Sequence, residues 1–213
     1  MSGSTRSSPG LTVGLDGYYK LARNLIDEGQ FGAPIILTAF NYAKVRVGGV
    51  EFTLSYDQGP WSIYANAAYS HAAATDINSA QFNFGPDELA YIAQHYIHLD
   101  HDQTWTASAG AACTFNKDTK YQTRVSVDLI AQSGLRASTP TVPNGASLPE
   151  YAAFNASVVQ KLDLGIGQGT ELRLDVLNIG DVVYQIRNGT GVGVGAPQFG
   201  IRRTILAGLT QRF

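Results

Sequence analysis

A single cysteine, Cys113, stands among 213 residues, so the chain can build neither an intramolecular disulfide nor a thiolate metal cluster. Charge is also scarce. Asp, Glu, Lys and Arg together make up 15%, against the roughly 25% usual in soluble domains, and the formal net charge of −2 gives no reason to expect nucleic acid as a partner. No stretch approaches the roughly 18 consecutive apolar residues that a membrane-spanning helix needs, which excludes a helical membrane protein. Residues 1–10 are Ser-rich and lack the apolar centre of a secretory signal.

In place of long apolar runs the chain has alternation. The last fifteen residues, 199–213, put Phe199, Ile201, Arg203, Ile205, Ala207, Leu209, Gln211 and Phe213 on one parity, and Gly200, Arg202, Thr204, Leu206, Gly208, Thr210 and Arg212 on the other. About eight such segments recur between turn-forming residues, near 11–21, 43–56, 61–71, 103–115, 121–131, 151–164, 171–176 and 199–213. In two of them the charges keep to one parity, with Arg124 and Asp128 against Val125, Val127 and Leu129, and Glu171, Arg173 and Asp175 against Leu172, Leu174 and Val176. Cys113 lies on the apolar parity, where a thiol acts as a small hydrophobe. In the second segment the parity slips at Gly48 and Gly49, which predicts a β-bulge there.

The connections alternate in length. Residues 57–60, 116–120 and 165–169 read as tight turns, whereas 26–42, 72–102, 136–150 and 183–198 are long and fall at the opposite ends of the strands. Short periplasmic turns opposite long extracellular loops are characteristic of outer-membrane barrels. Aromatic residues gather where hydrocarbon meets headgroups. Tyr56, Trp61, Phe115, Tyr121 and Phe213 sit at the turn end of their strands, and Tyr19, Tyr69, Trp105, Phe154 and Phe199 at the loop end. The pattern therefore predicts an all-β, antiparallel up-and-down transmembrane β-barrel segment in the outer membrane, with polar residues facing a wet interior. A soluble β-sandwich or lipocalin-like barrel would also alternate, but would scatter its aromatics through an inward core.

Four stretches resemble the C-terminal barrel region of TonB-dependent outer-membrane receptors: residues 15–30 (LDGYYKLARNLIDEGQ), 46–56 (RVGGVEFTLSY), 96–110 (YIHLDHDQTWTASAG) and 174–203 (LDVLNIGDVVYQIRNGTGVGVGAPQFGIRR). The terminal GLTQRF, with Gly208, Leu209 and Phe213, resembles the family's assembly signal for the barrel assembly machinery, although Gln211 stands where an aromatic is usual. The resemblance implies outer-membrane lipid as surroundings and energised uptake of a scarce ligand such as a ferric siderophore, a cobalamin or an oligosaccharide. It also implies a plug domain, further barrel strands, and a TonB energy complex reached through an N-terminal part. None of these is recognisable in the sequence, so residues 1–10 read as a disordered or truncated start, Pro9-Gly10 as a turn whose preceding strand is missing, and residues 11–213 as the C-terminal part of a barrel. The alternative is a small autonomous eight-stranded outer-membrane barrel with a structural or adhesive role.

Candidate sites are few. His95, His98, Asp100, His101 and Asp102 cluster at the end of the longest loop and invite a metal reading. In an extended segment, however, His95 and His98 face opposite ways, and a hydrogen-bond network at the rim accounts for them. His95, His98, Asp100, His101 and Arg187 are candidate loop contacts to a ligand. Residues 191–196 match a Gly-x-Gly-x-x-Ala fingerprint, but Pro197 and a terminal strand follow in place of a helix, so a loop is expected. No set of residues has the spacing of a catalytic triad, and neither enzymatic activity nor a cofactor is expected.

Overall fold

The computed structural model describes residues 2–31, 36–79, 84–165, 169–189 and 196–212. It begins with strand β1 (Ser2–Ser8) and three long strands, β2 (Leu11–Phe31), β3 (Ile36–Gln58) and β4 (Trp61–Ser79). Helix α1 (Pro86–Gln94) follows, then β5 (Ile97–His98), β6 (Trp105–Phe115), β7 (Thr123–Gln132), β8 (Arg136–Ala137), β9 (Ala146–Ser147) and β10 (Tyr151–Leu162). The last four strands are β11 (Gly169–Leu177), β12 (Gln185–Arg187), β13 (Gln198–Phe199) and β14 (Thr204–Arg212). One antiparallel sheet runs β1-β2-β3-β4-β6-β7-β10-β11-β14, with β5 added to β4. The strands of this path follow chain order, with the short β8–β9 and β12–β13 ladders set apart in the connections, the up-and-down meander that the alternation predicts. Among the described residues the sheet does not close: β1 pairs with β2 alone and β14 with β11 alone. No described helix is long and apolar enough to cross a membrane.

Ser2–Ser8, expected to belong to a disordered or truncated start, is a strand in the structure. Ser2–Ser8 pairs along its whole length with β2, and Gly10, at φ 76°, turns the chain between them. The strand before the Pro9-Gly10 turn is therefore present. Ser2–Ser8 has no apolar residue to alternate, so its composition carries no strand signal.

Cross-strand register fixes which residues share a face. One row runs Trp61, Cys113, Val125, Val158, Leu174 and Ala207 across six strands. The adjacent row, on the opposite face, runs Ser62, Ala112, Ser126, Ser157, Asp175 and Leu206. The parities read from separate segments thus assemble into one largely apolar face and one face dominated by small and polar side chains.

Strand lengths divide the sheet into two parts. β6, β7, β10, β11 and β14 have 11, 10, 12, 9 and 9 residues, close to the roughly 9–11 that cross a bilayer as a tilted strand. β2, β3 and β4 have 21, 23 and 19 and continue far past the loop ends of their neighbours, where loops were expected from 26 to 42 and from 72. In this extension the two faces exchange character. Below Gly48 the apolar face carries Val50, Phe52 and Leu54, and above it carries Arg46 and Lys44; the other face changes from Glu51, Thr53 and Ser55 to Val47 and Val45.

The exchange explains the parity slip without a bulge. Register is continuous through Gly48 and Gly49, and the chain changes its surroundings there, not its pleat. Each glycine lies opposite a tyrosine, Tyr19 facing Gly48 and Tyr18 facing Gly49. A Cβ on Gly49 would come within 2.6 Å of the Tyr18 hydroxyl, so the glycine provides room for the ring edge. The true irregularity lies higher, level with Ala43. Asn24 and Asp76, on the strands to either side, adopt left-handed φ angles of 53° and 60°, and the β3–β4 register shifts at Asn41/Tyr42.

The packed hydrophobic core sits in this extension. Phe40, Tyr42, Val45, Ala74, Ile92 and Ile97 form a buried cluster, joined at its edge by Ala22, Leu25, Val47, Tyr91 and Leu99. Helix α1 is defined locally: Pro86 occupies its first turn, Glu88 accepts a 2.8 Å bond from the Gly85 N–H, and Asp87 and Glu88 complement the positive end of the helix. Its Ile92 is fully buried, and its carbonyl accepts a 2.6 Å bond from the Thr75 hydroxyl of β4. The longest connection therefore folds back onto the sheet as a helix.

Candidate functional site

The loop-end rim is organised around Asp102, the carboxylate of the cluster singled out in the sequence. Between β5 and β6 the chain leaves the β4 ladder and rejoins it, and Asp102 fills the gap: its Oδ1 accepts the Ala72 N–H at 2.9 Å in place of a backbone carbonyl. Its Oδ2 accepts from His98 Nδ1 at 2.7 Å and from the Arg136 guanidinium at 3.1 Å. Arg136 also donates to the Thr104 and Ser147 hydroxyls, and the Asn144 amide donates to the His98 carbonyl. Asp102 is 3% exposed, so this is a buried charge fully supplied with partners. It ties β4, the entrance to β6 and the small β8–β9 ladder together.

His71 joins from β4, its ring edge-to-face with His98 at 4.8 Å. Above the spanning part of β4, its pKa is held below the ordinary imidazole range, by burial first and then by neighbouring His98. His71, His98 and Asp102 offer ligand atoms within 4.8 Å of one another. Both Asp102 oxygens are engaged, however, and the Arg136 charge beside them opposes a cation. The geometry is that of a structural lock. The remaining members of the sequence cluster separate: His95 stacks on Tyr91 of α1, and His101 turns toward Asp100 at 3.6 Å and Arg187 at 2.7 Å. Arg187 and His101 are thus brought together from distant loops. His71 and Arg136 were not legible in the sequence, since only the register of β4 and the course of the β8 segment carry them to Asp102.

The motif Asn178-Ile179-Gly180-Asp181 builds a second lock at the end of β11. Asn178 is 1% exposed, in a left-handed conformation with φ 48°; its side-chain amide donates to the Val182 and Ile201 carbonyls and its Oδ1 accepts the Val182 N–H. Asp181 receives Arg202 through two bonds of 2.8 and 2.5 Å and the Arg203 N–H at 2.9 Å. These bonds, Arg202 above all, hold its carboxyl well below the usual range. The clamp delays the last strand: β14 begins at Thr204, and Phe199 belongs to the β12–β13 ladder, not to the closing strand as its alternation predicts. Arg202 is correspondingly a clamp residue and not one of the inward charges. Tyr42, within the α1 core, has its phenol pushed far above the ordinary value by burial, reinforced by Asp27 and Asp100.

On the wall, Tyr19, Tyr69 and Phe154 are exposed on the apolar face near the loop end, and Trp61 and Phe115 near the turn end, with Tyr121 exposed in the turn. Tyr56 and Trp105 are partly covered. Gly208 and Leu209 lie in β14 opposite Arg173 and Leu172, whereas Phe213 and residues 191–195 of the glycine-rich stretch fall outside the described residues. The polar face carries the charges assigned to it: Arg173 pairs with Asp175 at 2.7 Å, Arg124 donates to the Thr114 hydroxyl, and Asp128 accepts from Asn155 at 2.6 Å.

Among curated proteins, no match to the chain was found. Residues 4–179 match the family described as TonB dependent receptor-like, β-barrel, a span that takes in β1 to β11. The meander, with one largely apolar and one largely polar face, is thus a stretch of barrel wall, and the chain belongs to the TonB-dependent receptor-like β-barrel family.

Proposed function

We propose that this chain supplies wall and extracellular loops to an outer-membrane receptor that takes up a scarce, bulky ligand, such as a ferric siderophore, a cobalamin or an oligosaccharide. In this reading the wall is completed by further strands, is filled by a plug domain, and is reached by the TonB energy complex through that plug. The barrel assembly machinery inserts it, with Gly208, Leu209 and Phe213 forming part of the recognised ending. The aromatics on the apolar face mark the two membrane interfaces, and Arg187 and His101, with His95, His98 and Asp100 nearby, belong to the rim that a ligand meets first.

The observation that carries this reading is the direction of the two edge strands. β1 and β14 both run from the loop end to the turn end, and the free edge of β2 is already taken by β1. Closing an antiparallel barrel joins strands of opposite direction, which is why such barrels have even strand numbers. The small autonomous barrel lacks that join. A face of Ser, Thr, Gly and charged residues also suits a wall lining a filled lumen better than a small barrel closed around its own side chains.

A disulfide test separates the two. In a Cys113→Ala background, cysteines at Ser7 in β1 and Thr210 in β14 are expected to give no intramolecular bond in outer membranes. An efficient intramolecular bond would mean that the edges meet, and would favour the autonomous barrel.

A further inference from the structure

On β2, β3 and β4, above Tyr19 and Tyr69, the face that lies in lipid lower down carries cations. Arg23 lies directly opposite Lys44, Arg46 follows two residues along β3 on the same face, and Leu21 lies opposite Arg46. All three cations are exposed, and among the described residues none pairs with a carboxylate. Arg46 is positioned by an aromatic ring instead, its guanidinium carbon 4.0 Å above the centre of Tyr96. Like charges directly across a ladder destabilise it, so an anion seated between Arg23 and Lys44 would relieve the pair.

Position decides which anion. A strand rise of about 3.3 Å per residue, reduced by a tilt of about 40°, places Arg46 and Lys44 about 5–10 Å beyond the level of Gly48 and Tyr19. That is the depth of a headgroup layer. Leu21, level with Arg46, and Tyr19 below it are strongly exposed on the same face. Apolar surface, then aromatic rings, then cations is the layering of a lipid with acyl chains below and a phosphate above.

We propose that Arg23, Lys44 and Arg46 bind the phosphate of an anionic lipid in the outer leaflet, with its chains lying against Leu21 and Tyr19. The site rests on the apolar face being the lipid face, and it adjoins the Asp102 rim network at His71, which shares that face.

The test uses the full chain reconstituted into phosphatidylcholine vesicles with or without a minor fraction of phosphatidic acid, and reads lipid association from immobilised spin-labelled lipid. With about fivefold in affinity available per cation near the surface, phosphatidic acid is expected to be preferred over phosphatidylcholine by up to about a hundredfold. The triple variant Arg23→Gln, Lys44→Gln, Arg46→Gln should lose the preference, while Arg124→Gln, Lys161→Gln, Arg173→Gln on the opposite face should keep it. An inserted wild-type chain without preference overturns the proposal, and needs no variant to do so; so does equal loss in both triples, or displacement by inorganic phosphate, which would make the occupant a soluble anion. Failure of the wild-type chain to insert would instead strike the membrane reading on which the site rests.

Discussion

At single residues, space and charge pairing dominate. Gly110 lies opposite Tyr64, and a Cβ there would stand 2.4 Å from the Tyr64 ring. Gly110→Val is expected to destabilise the sheet by about 1–3 kcal/mol by forcing the ring off its neighbour. Gly208→Ala, whose new methyl would meet nothing closer than 3.7 Å, should leave the unfolding midpoint in urea nearly unchanged. At the rim, Asp102→Ala strands Arg136, whose side chain is 11% exposed. A broken buried pair costs about 3–5 kcal/mol, so proteolysis within residues 133–150 should become rapid in this variant. These sites differ in how far the sequence disclosed them. His98 and Asp102 stand four residues apart and drew attention together, but His71 and Arg136 acquire meaning only through β-register, which a linear pattern does not encode. The Gly48-Gly49 pair misled for a related reason, because a change of face and a bulge leave the same trace in the sequence.

Single elements respond to the local locks. The Asp181 clamp holds the loop-end entrance to β14, and the linkage has a definite sign: a carboxyl whose folded pKa is depressed stabilises the folded form above its ordinary value of about 4, and this is lost as pH falls toward the folded value. Amide exchange in residues 178–189 and 196–203 should therefore stay slow from neutral pH down to about 4 and quicken only in stronger acid. Asp181→Asn should open the same segments at neutral pH. Helix α1 depends on Ile92, fully buried in its last turn, and Ile92→Ala is expected to cost about 2–5 kcal/mol, seen as loss of exchange protection confined to residues 86–95. Neither the helix nor the long extensions of β2 to β4 was legible as such. Their apolar residues face a local partner on the side that is polar lower in the wall, so a search for one continuous alternation reads them as loops.

For the whole molecule, the two faces impose opposite tolerances. A lysine at Val127, 51% exposed on the apolar face, is expected to destabilise the membrane-inserted form by about 2–4 kcal/mol near the midplane. The same change at Ser126, on the other face, should be nearly silent in the same bilayer unfolding measurement. Equal effects at both positions would overturn the assignment of faces. The meander itself was visible in the sequence because apolar and polar faces exchange with a two-residue period along β6, β7, β10, β11 and β14. The direction of the sheet edges was not, since it turns on β1, whose composition is silent about pairing.

The division of labour between bilayer and packed core gives the molecule two sources of cohesion that denaturants attack differently. The Phe40, Tyr42 and Ile92 cluster is held mainly by burial from water, whereas in the proposed reading the strands beneath it lie in lipid, a solvent that urea barely enters. Titration in lipid vesicles should then show two transitions, the outer cap dissolving first and the spanning wall persisting. A surface-exposed cap that melts by itself can be remodelled by a ligand, an antibody or a change of salt without breaching the membrane.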